Sequence, residues 1–367
     1  MTRPHSRISS RWRQLASLLL GAVLLLTACD LPPTPPKPVP GALRWRVQIA
    51  DTQRATPVFV ANGLIYLAGA DHAVYALDAA TGKQRWRAQL GAAGAFVSAV
   101  ADGAVYVMAL DQAPYAYAIY ALDAATGAKR WHIQTHQSPS VDATVANGLV
   151  YFGEWSGPVF ALDAATGAQR WQAQDDANLY AAPTVASGTV YDVSKIDNGA
   201  VVALDAATGV QRWQVQAGTN CCSMPAVADG VVYVGAFDDT VYALDATTGA
   251  FRWGVAIGHD LFTTPAVANG MVYLGSYDQY VYALDAATGA QRWRFQTGDR
   301  VVSAPTVANG VVYVASTESD HHVYALDAKT GALRWRYEIS GSYLAPVVAN
   351  GLAYVASNDG FLYALNA

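Results

Sequence analysis

The sequence is poor in the residues on which active sites and disulfide frameworks depend. Only 3 of its 367 residues are cysteine, 7 are histidine, and charged residues make up 14%. Three cysteines are too few for a disulfide-stapled scaffold, and the chain has no phosphate-binding glycine loop or Gly-x-Ser-x-Gly turn. The adjacent His321 and His322 have no cysteine or carboxylate at zinc-ligand spacing. We therefore expect no metal site and no catalytic residues.

Long apolar runs and positive charge are also scarce beyond the N-terminus. No later segment has the 18 consecutive apolar residues of a membrane-spanning helix. Residues 1–28 hold four arginines and no acidic residue, so the remaining chain carries −5 − 4 = −9 charges. Nucleic acids bind basic surfaces, and an anionic bilayer repels a negative domain. We expect no nucleic-acid partner and no membrane contact except a lipid anchor.

The N-terminus is an export signal. Arginines precede an apolar run over residues 15–26, and small residues follow it. The motif Leu-Thr-Ala-Cys, which ends at Cys29, is similar to a bacterial lipobox. It predicts a lipoprotein signal peptide at residues 1–28, acylation of Cys29 and a proline-rich tether at residues 29–41. An ordinary cleaved signal with an incidental cysteine is the alternative.

The anchor implies a location in the bacterial cell envelope. Asp30 follows Cys29 directly. In enteric-type bacteria, aspartate at this position resembles a signal for retention at the cytoplasmic membrane. The sequence therefore favours the outer side of the cytoplasmic membrane, with the outer membrane as the alternative.

Eight related segments fill the remaining chain. Seven carry variants of Val-Tyr-Ala-Leu-Asp-Ala-Ala-Thr-Gly-x-x-Arg-Trp, and the eighth stops at Ala367. Tryptophan recurs every 40–45 residues, at Trp45, Trp86, Trp131, Trp171, Trp213, Trp253, Trp293 and Trp335. Such a period, built from short strands, is typical of a β-propeller.

The two ends of the repeat are complementary. Trp45 has no copy of the phrase before it, and the last copy has no tryptophan after it. The sequence therefore predicts an all-β fold over residues 42–367. This is an eight-bladed β-propeller of four-stranded antiparallel blades, closed by pairing of the N- and C-terminal strands. We expect a monomeric propeller.

One copy shows the strands of a blade. Apolar alternation predicts strands at residues 264–268, 271–275, 280–284 and 291–295. The first turn of each copy is Asn-Gly or a close relative, which favours a tight hairpin. The repeated aspartates and tryptophans are predicted to be structural. Each aspartate caps a turn, and each tryptophan wedges against a neighbouring blade.

The predicted propeller has one repetitive face and one variable face. The first-to-second and third-to-fourth turns share a face and are nearly identical, whereas the second-to-third turns and the links between blades vary. A specific site is therefore expected on the variable face. The candidate binding residues are aromatic or arginine, although ordinary loop variety is the alternative: Arg54, Trp155, Tyr180, Phe262, Arg300 and Tyr343.

The repeat is similar to the pyrroloquinoline-quinone-like repeat over roughly residues 42–367. In length, lipobox and compact blades, the chain resembles the lipoprotein subunit of the outer-membrane β-barrel assembly machinery. That resemblance implies a non-catalytic scaffold that contacts envelope or membrane proteins through its loops, with no cofactor.

A second family shares the repeat. Cys221 and Cys222 are adjacent and, by themselves, form either a vicinal disulfide or two free thiols. Quinoprotein dehydrogenases carry such a disulfide on the channel face, and this resemblance implies a Cys221–Cys222 bond. The alternative function is therefore a dehydrogenase that binds pyrroloquinoline quinone and calcium.

Overall fold

The structure is a computed structural model that describes most of the chain after residue 37. The described residues are 38–49, 57–90, 94–111, 116–135, 143–154, 157–173, 183–194, 199–218, 223–236, 238–259, 261, 263–317, 319–340 and 344–367. They contain 32 β-strands and no helix. Within these ranges, then, no helix is available to cross a membrane.

The strands group into consecutive blades. Strand β1 (Leu43–Gln48) comes first in the chain. Blade 1 contains β2 (Phe59–Ala61), β3 (Leu64–Ala68), β4 (Ala73–Asp78) and β5 (Gln84–Gln89). Blade 2 contains β6 (Gly94–Ala101), β7 (Ala104–Asp111), β8 (Ala116–Asp123) and β9 (Lys129–Thr135). Blade 3 contains β10 (Thr144–Ala146), β11 (Leu149–Gly153), β12 (Val159–Asp163) and β13 (Gln169–Gln172).

Blades 4 to 7 repeat the pattern. Blade 4 contains β14 (Thr184–Ala186), β15 (Thr189–Ser194), β16 (Ala200–Asp205) and β17 (Gln211–Gln216). Blade 5 contains β18 (Ala226–Ala228), β19 (Val231–Gly235), β20 (Thr240–Asp245) and β21 (Phe251–Ala256). Blade 6 contains β22 (Ala266–Ala268), β23 (Met271–Gly275), β24 (Tyr280–Asp285) and β25 (Gln291–Gln296). Blade 7 contains β26 (Thr306–Ala308), β27 (Val311–Ala315), β28 (His322–Asp327) and β29 (Leu333–Glu338).

Blade 8 joins the two ends of the chain, which confirms the predicted closure. It contains β30 (Val347–Ala349), β31 (Leu352–Ala356) and β32 (Phe361–Asn366), and β1 pairs antiparallel with β32 as its fourth strand. In this register Trp45 lies opposite Ala364. The compact unit runs from Val39 to Ala367. The fold is the predicted eight-bladed propeller of four-stranded antiparallel sheets.

The predicted strand bounds hold within two residues in blade 6, where β24 and β25 each run one residue further than predicted. The inner strand begins at Ala266 rather than residue 264. Pro265 has no backbone N–H to donate to the ladder, so pairing starts after it. Strand β23 covers Met271–Gly275 as predicted.

The first turns are tight hairpins with two left-handed residues. In blade 6, Asn269 has a φ of 52° and Gly270 a φ of 72°. Two positive φ values in succession define a type I′ turn, whose twist matches the flanking strands. The same conformation occurs at Asn62, Asp102, Asn147, Ser187, Asp229, Asn309 and Asn350.

Tryptophan couples each blade to the next. Trp293 is 8% exposed, and its indole Nε1 donates to the carbonyl of Ala328 in blade 7 at 3.0 Å. The Tyr273 hydroxyl donates to the same carbonyl at 3.0 Å. Gly331 lies against the indole, since a Cβ there would be 2.7 Å from Trp293 Cδ2. The third-to-fourth turn of one blade therefore packs against the tryptophan of the preceding blade.

Hydrogen bonds between turns define the two faces. The backbone N–H of Ala286, in the third-to-fourth turn, donates to the first-turn carbonyl of Gly270 at 2.9 Å. We call the surface formed by these two kinds of turn the turn face. On the opposite side, Thr297, in the link after blade 6, donates to Gln279 in the second-to-third turn at 2.8 Å. We call the surface of second-to-third turns and links the loop face.

Candidate binding face

Most of the predicted site residues lie outside the described part of the chain. Arg300 is described, and the other predicted binding residues are not: Arg54, Trp155, Tyr180, Phe262 and Tyr343. The predicted lipidation site Cys29 and the cysteines Cys221 and Cys222 also lie outside it.

Arg300 lies on the loop face between blades 6 and 7. Its guanidinium carbon sits 5.3 Å from the centre of the Tyr277 ring, within cation–π range. The backbone carbonyl of Arg300 accepts a hydrogen bond from Thr317 at 3.0 Å. Its neighbour Asp299 accepts from the Thr317 hydroxyl at 2.6 Å. The exposed guanidinium is therefore held above an aromatic ring by a link that is bonded to blade 7.

Three further arginines stack on aromatic rings where the outer strands approach the loop face. Arg294 lies 4.7 Å from the Tyr280 ring centre. The other two pairs are Arg46 over Phe361 at 4.9 Å and Arg87 over Tyr75 at 5.7 Å. These arginines belong to blades 6, 8 and 1, and all of them are exposed. Arginine and tyrosine are enriched at protein–protein interfaces.

An open groove of about 540 Å³ separates the outer strand of blade 7 from blade 8. Tyr337, Glu338 and Ser340 line one side, and Tyr363 lines the other. The rings of Tyr337 and Tyr363 are 6.3 Å apart and inclined at 57°. Aromatic walls beside an exposed carboxylate can receive an apolar or cationic side chain of a partner protein.

The loop face contains a repeat that the sequence interpretation missed. In blade 6, Asp278 accepts the backbone N–H of Tyr280 at 3.0 Å and the hydroxyl of Tyr282 at 2.5 Å. The same aspartate–tyrosine bond occurs in four other blades: Asp71–Tyr75, Asp238–Tyr242, Asp320–Tyr324 and Asp359–Tyr363. The prediction that the second-to-third turns vary throughout is therefore wrong for these five blades. The signal was present in the sequence as Asp-x-x-(Val or Leu)-Tyr.

Burial and the bonded aspartates strongly raise the pKa of three of these tyrosines. Burial, followed by the bond to Asp278, raises the pKa of Tyr282 to about 12. Burial and the equivalent aspartates also raise the pKa of Tyr324 and of Tyr363 to about 12. Each hydroxyl therefore remains a donor, and the tyrosine staples its turn to the strand that follows.

The turn face carries a different repeated network, which caps every Asp-Ala-Ala-Thr-Gly turn. Asp163 accepts the backbone N–H of Thr166 at 2.9 Å and the Thr166 hydroxyl at 2.9 Å. Its second oxygen lies 2.6 Å from Arg170 Nη2. The Arg170 and Thr166 bonds lower the pKa of Asp163 to about 2. The same bonds hold the pKa of five other aspartates at about 2: Asp123, Asp205, Asp245, Asp285 and Asp327.

These shifts predict a loss of stability in acid. A carboxylate whose pKa falls from 3.8 to about 2 on folding stabilises the fold above its unfolded pKa. That contribution disappears as the pH falls from about 4 to about 2. We expect the urea midpoint of unfolding to drop in this window, and to drop less steeply in Asp285→Asn. A urea midpoint that falls with pH equally steeply in the variant and in the parent chain would contradict the role of Asp285.

Within the described residues, no group of three or more His, Cys, Asp or Glu side chains could hold a metal ion.

Comparison with known proteins supports the fold and identifies the family. A family model described as outer membrane protein assembly factor BamB matches residues 37–173, 118–224, 197–303 and 278–367. No curated protein matches the chain.

Several solved structures share the fold. BamB from Moraxella catarrhalis is 20% identical to this chain, with a TM-score of 0.74. The match covers 89% of this chain and 100% of that protein. The computationally designed protein Ika8 is 16% identical, with a TM-score of 0.75 and coverage of 87% and 98%. Quinohemoprotein alcohol dehydrogenase ADHIIG from Pseudomonas putida HK5 is 17% identical, with a TM-score of 0.70 and coverage of 89% and 76%. At these identities the likeness concerns the fold alone. Because the family model matches from residue 37 to residue 367, the chain belongs to the PQQ-like repeat propellers described as outer membrane protein assembly factor BamB.

Proposed function

We propose that the protein is a non-catalytic lipoprotein of the cell envelope that binds other proteins through its loop face. In this proposal Cys29 carries the lipid and the propeller is a rigid scaffold. The family description, an outer membrane protein assembly factor, points to partners among the proteins that assemble outer-membrane proteins.

The observation that carries this proposal is the set of arginine–aromatic pairs on and beside the loop face. Arg300 lies over Tyr277, and Arg294 lies over Tyr280. The ring beneath each guanidinium limits its rotamers, so less conformational entropy is lost when a partner binds. Arginine and tyrosine side chains held in this way are typical anchors of protein interfaces.

A binding measurement with matched arginine variants tests the proposal. The host's outer-membrane assembly proteins would be purified and titrated against the parent chain, Arg300→Ala/Tyr277→Ala and Arg292→Ala. We expect the loop-face double variant to weaken binding by about tenfold or more, as loss of an interface hot spot does. Arg292 belongs to the same blade but lies on the turn face, paired with Asp285 at 2.6 Å. Its removal should leave the affinity unchanged, and equal effects of the two variants would contradict the proposal.

The alternative function is a quinoprotein dehydrogenase. The adjacent Cys221 and Cys222 favour it, as does the fold shared with ADHIIG. Titration with pyrroloquinoline quinone and calcium should give no saturable absorbance change if the protein is a scaffold. Saturable binding together with dye-linked alcohol oxidation, both lost in Cys221→Ser/Cys222→Ser, would favour the enzyme instead.

A further inference from the structure

The chain enters the propeller at the turn face. The carbonyl of Val39 accepts the side-chain amide of Asn366 at 2.8 Å, and the N–H of Gly41 donates to the Asn366 carbonyl at 2.8 Å. Asn366 occupies the position of the turn-capping aspartates of the other blades. Val39, the first residue of the compact unit, therefore lies at the turn face of blade 8.

Arginine and lysine side chains lie on the turn face on both sides of Val39. In seven blades, the arginine of the turn face pairs with its aspartate at 2.6–2.8 Å. In blade 8 the equivalent arginine is Arg44, and Asn366, which carries no charge, stands at the position of the aspartate. Three exposed lysines lie on the turn face: Lys329 and Lys83 belong to blades 7 and 1, the neighbours of blade 8, and Lys129 belongs to blade 2.

We call the turn-face ends of blades 7, 8, 1 and 2 the anchor arc. Among the described side chains of the anchor arc, Asp102 is the carboxylate outside the aspartate–arginine pairs. The four cations Arg44, Lys83, Lys129 and Lys329 minus this one anion leave an excess of +3 among the side chains of the anchor arc. The turns of blades 3 to 6 have no lysine, and Asp229 adds a negative charge there. The positive charge is therefore concentrated around the point where the compact unit begins, although the chain after residue 28 carries −9.

Exposed apolar side chains lie on the same face. Val39 is 67% exposed, Leu43 39% and Leu333 44%, and all three belong to the anchor arc. Val210 and Phe251, each 64% exposed, lie at the turn-face ends of blades 4 and 5. Of the six exposed large apolar side chains in the described residues, only Phe96 is at the loop-face end of a strand.

We infer that the anchor arc is a membrane-contact surface that rests on the headgroups of an anionic bilayer. Cations next to exposed apolar side chains are the combination that binds anionic lipid interfaces. The acidic remainder of the domain is repelled by the same surface, which favours one orientation. The inference rests on the membrane attachment proposed above. It places the loop face away from the bilayer, where a protein partner can reach it.

The test measures orientation without depending on acylation. A chain with a histidine tag in place of residues 1–29 would be attached to vesicles through nickel-chelating lipid. Single fluorophores would be placed at Ala332→Cys on the turn face or Ser319→Cys on the loop face, in a Cys221→Ser/Cys222→Ser background. Both sites are exposed and belong to blade 7. The vesicles would contain phosphatidylcholine with or without phosphatidylglycerol, together with a headgroup-attached quencher.

On phosphatidylglycerol vesicles, we expect the Ala332 label to be quenched about threefold more than the Ser319 label. The difference should disappear in Lys83→Glu/Lys129→Glu/Lys329→Glu, and at about 0.5 M salt, where the Debye length is only a few ångströms. Equal quenching of the two labels would overturn the inference. So would a difference that is the same on pure phosphatidylcholine, because tether geometry alone would then explain it. Failure of the proposed lipid anchor would show separately, as a full-length Cys29→Ser chain that still fractionates with membranes as a mature-length species.

Discussion

Removal of residues 39–49 should abolish the closed propeller. The deletion removes strand β1, which pairs with β32, and exposes the edge of blade 8 from Phe361 to Asn366. It also removes Trp45, whose ring lies against Gly82 of blade 1, and Gly41, which lies against Trp335 of blade 7. Both contacts that blade 8 makes through a tryptophan are therefore lost. We expect aggregation on size-exclusion chromatography and loss of a cooperative thermal transition, because an unpaired apolar edge recruits other chains.

Two comparisons isolate the closure. Deletion of residues 31–37 shortens the tether without touching β1 and should leave the melting temperature unchanged. A synthetic peptide of residues 38–49 added to the deletion variant should restore a monodisperse species, since it supplies the missing strand in trans. A deletion variant that melts at the temperature of the parent would show that β1 does not close the ring.

Trp293→Ala should cost about 3–5 kcal/mol of unfolding free energy, the usual range for a buried tryptophan. The indole packs on Gly331 and donates to Ala328 at 3.0 Å, so its loss opens the joint between blades 6 and 7. Trp293→Phe keeps a ring over the glycine and loses the hydrogen bond, which should cost less than the alanine variant. Urea denaturation measures both changes, and equal losses would mean that ring packing contributes little.

The glycine beneath the indole offers a matched check on the same joint. Gly331 and Gly310 belong to blade 7 and have the same φ of 73°. Alanine at either position pays about 1–2 kcal/mol for the left-handed conformation. At Gly331 the new methyl group also meets Trp293 at 2.7 Å, whereas nothing lies within 4 Å of a Cβ at Gly310. We expect Gly331→Ala to be the more destabilising by about 1–3 kcal/mol, the usual cost of overpacking.

Local sequence determined most of the scaffold. The near-40-residue period specified eight blades, and the unmatched Trp45 specified how the ring closes. The Asn-Gly pairs specified the type I′ turns because few other residues tolerate two positive φ values in succession. These features depend on a residue and its close neighbours, or on the spacing of repeated residues along the chain. They can therefore be predicted from the sequence alone.

The candidate site could be predicted from the sequence only in part. Arg300 was predicted from the sequence as a binding residue and stays a prediction. Tyr277, beneath its guanidinium, lies in a different loop, so their pairing became visible only from the positions of both. The Asp278–Tyr282 staple was missed for another reason. The second-to-third turns were compared for differences, and their shared aspartate and tyrosine were overlooked.

Only the tertiary structure showed which charged and apolar side chains the closed ring brings together. Lys83 and Lys329 are far apart in sequence, yet ring closure makes their blades the two neighbours of blade 8. The same closure places Gly41 against Trp335 and Val39 beside Asn366. A net charge summed along the chain predicts repulsion from an anionic membrane, because summation ignores position. The sequence by itself therefore determined the repeating propeller, and the folded ring decided that one arc of an acidic domain carries excess cations and exposed apolar side chains.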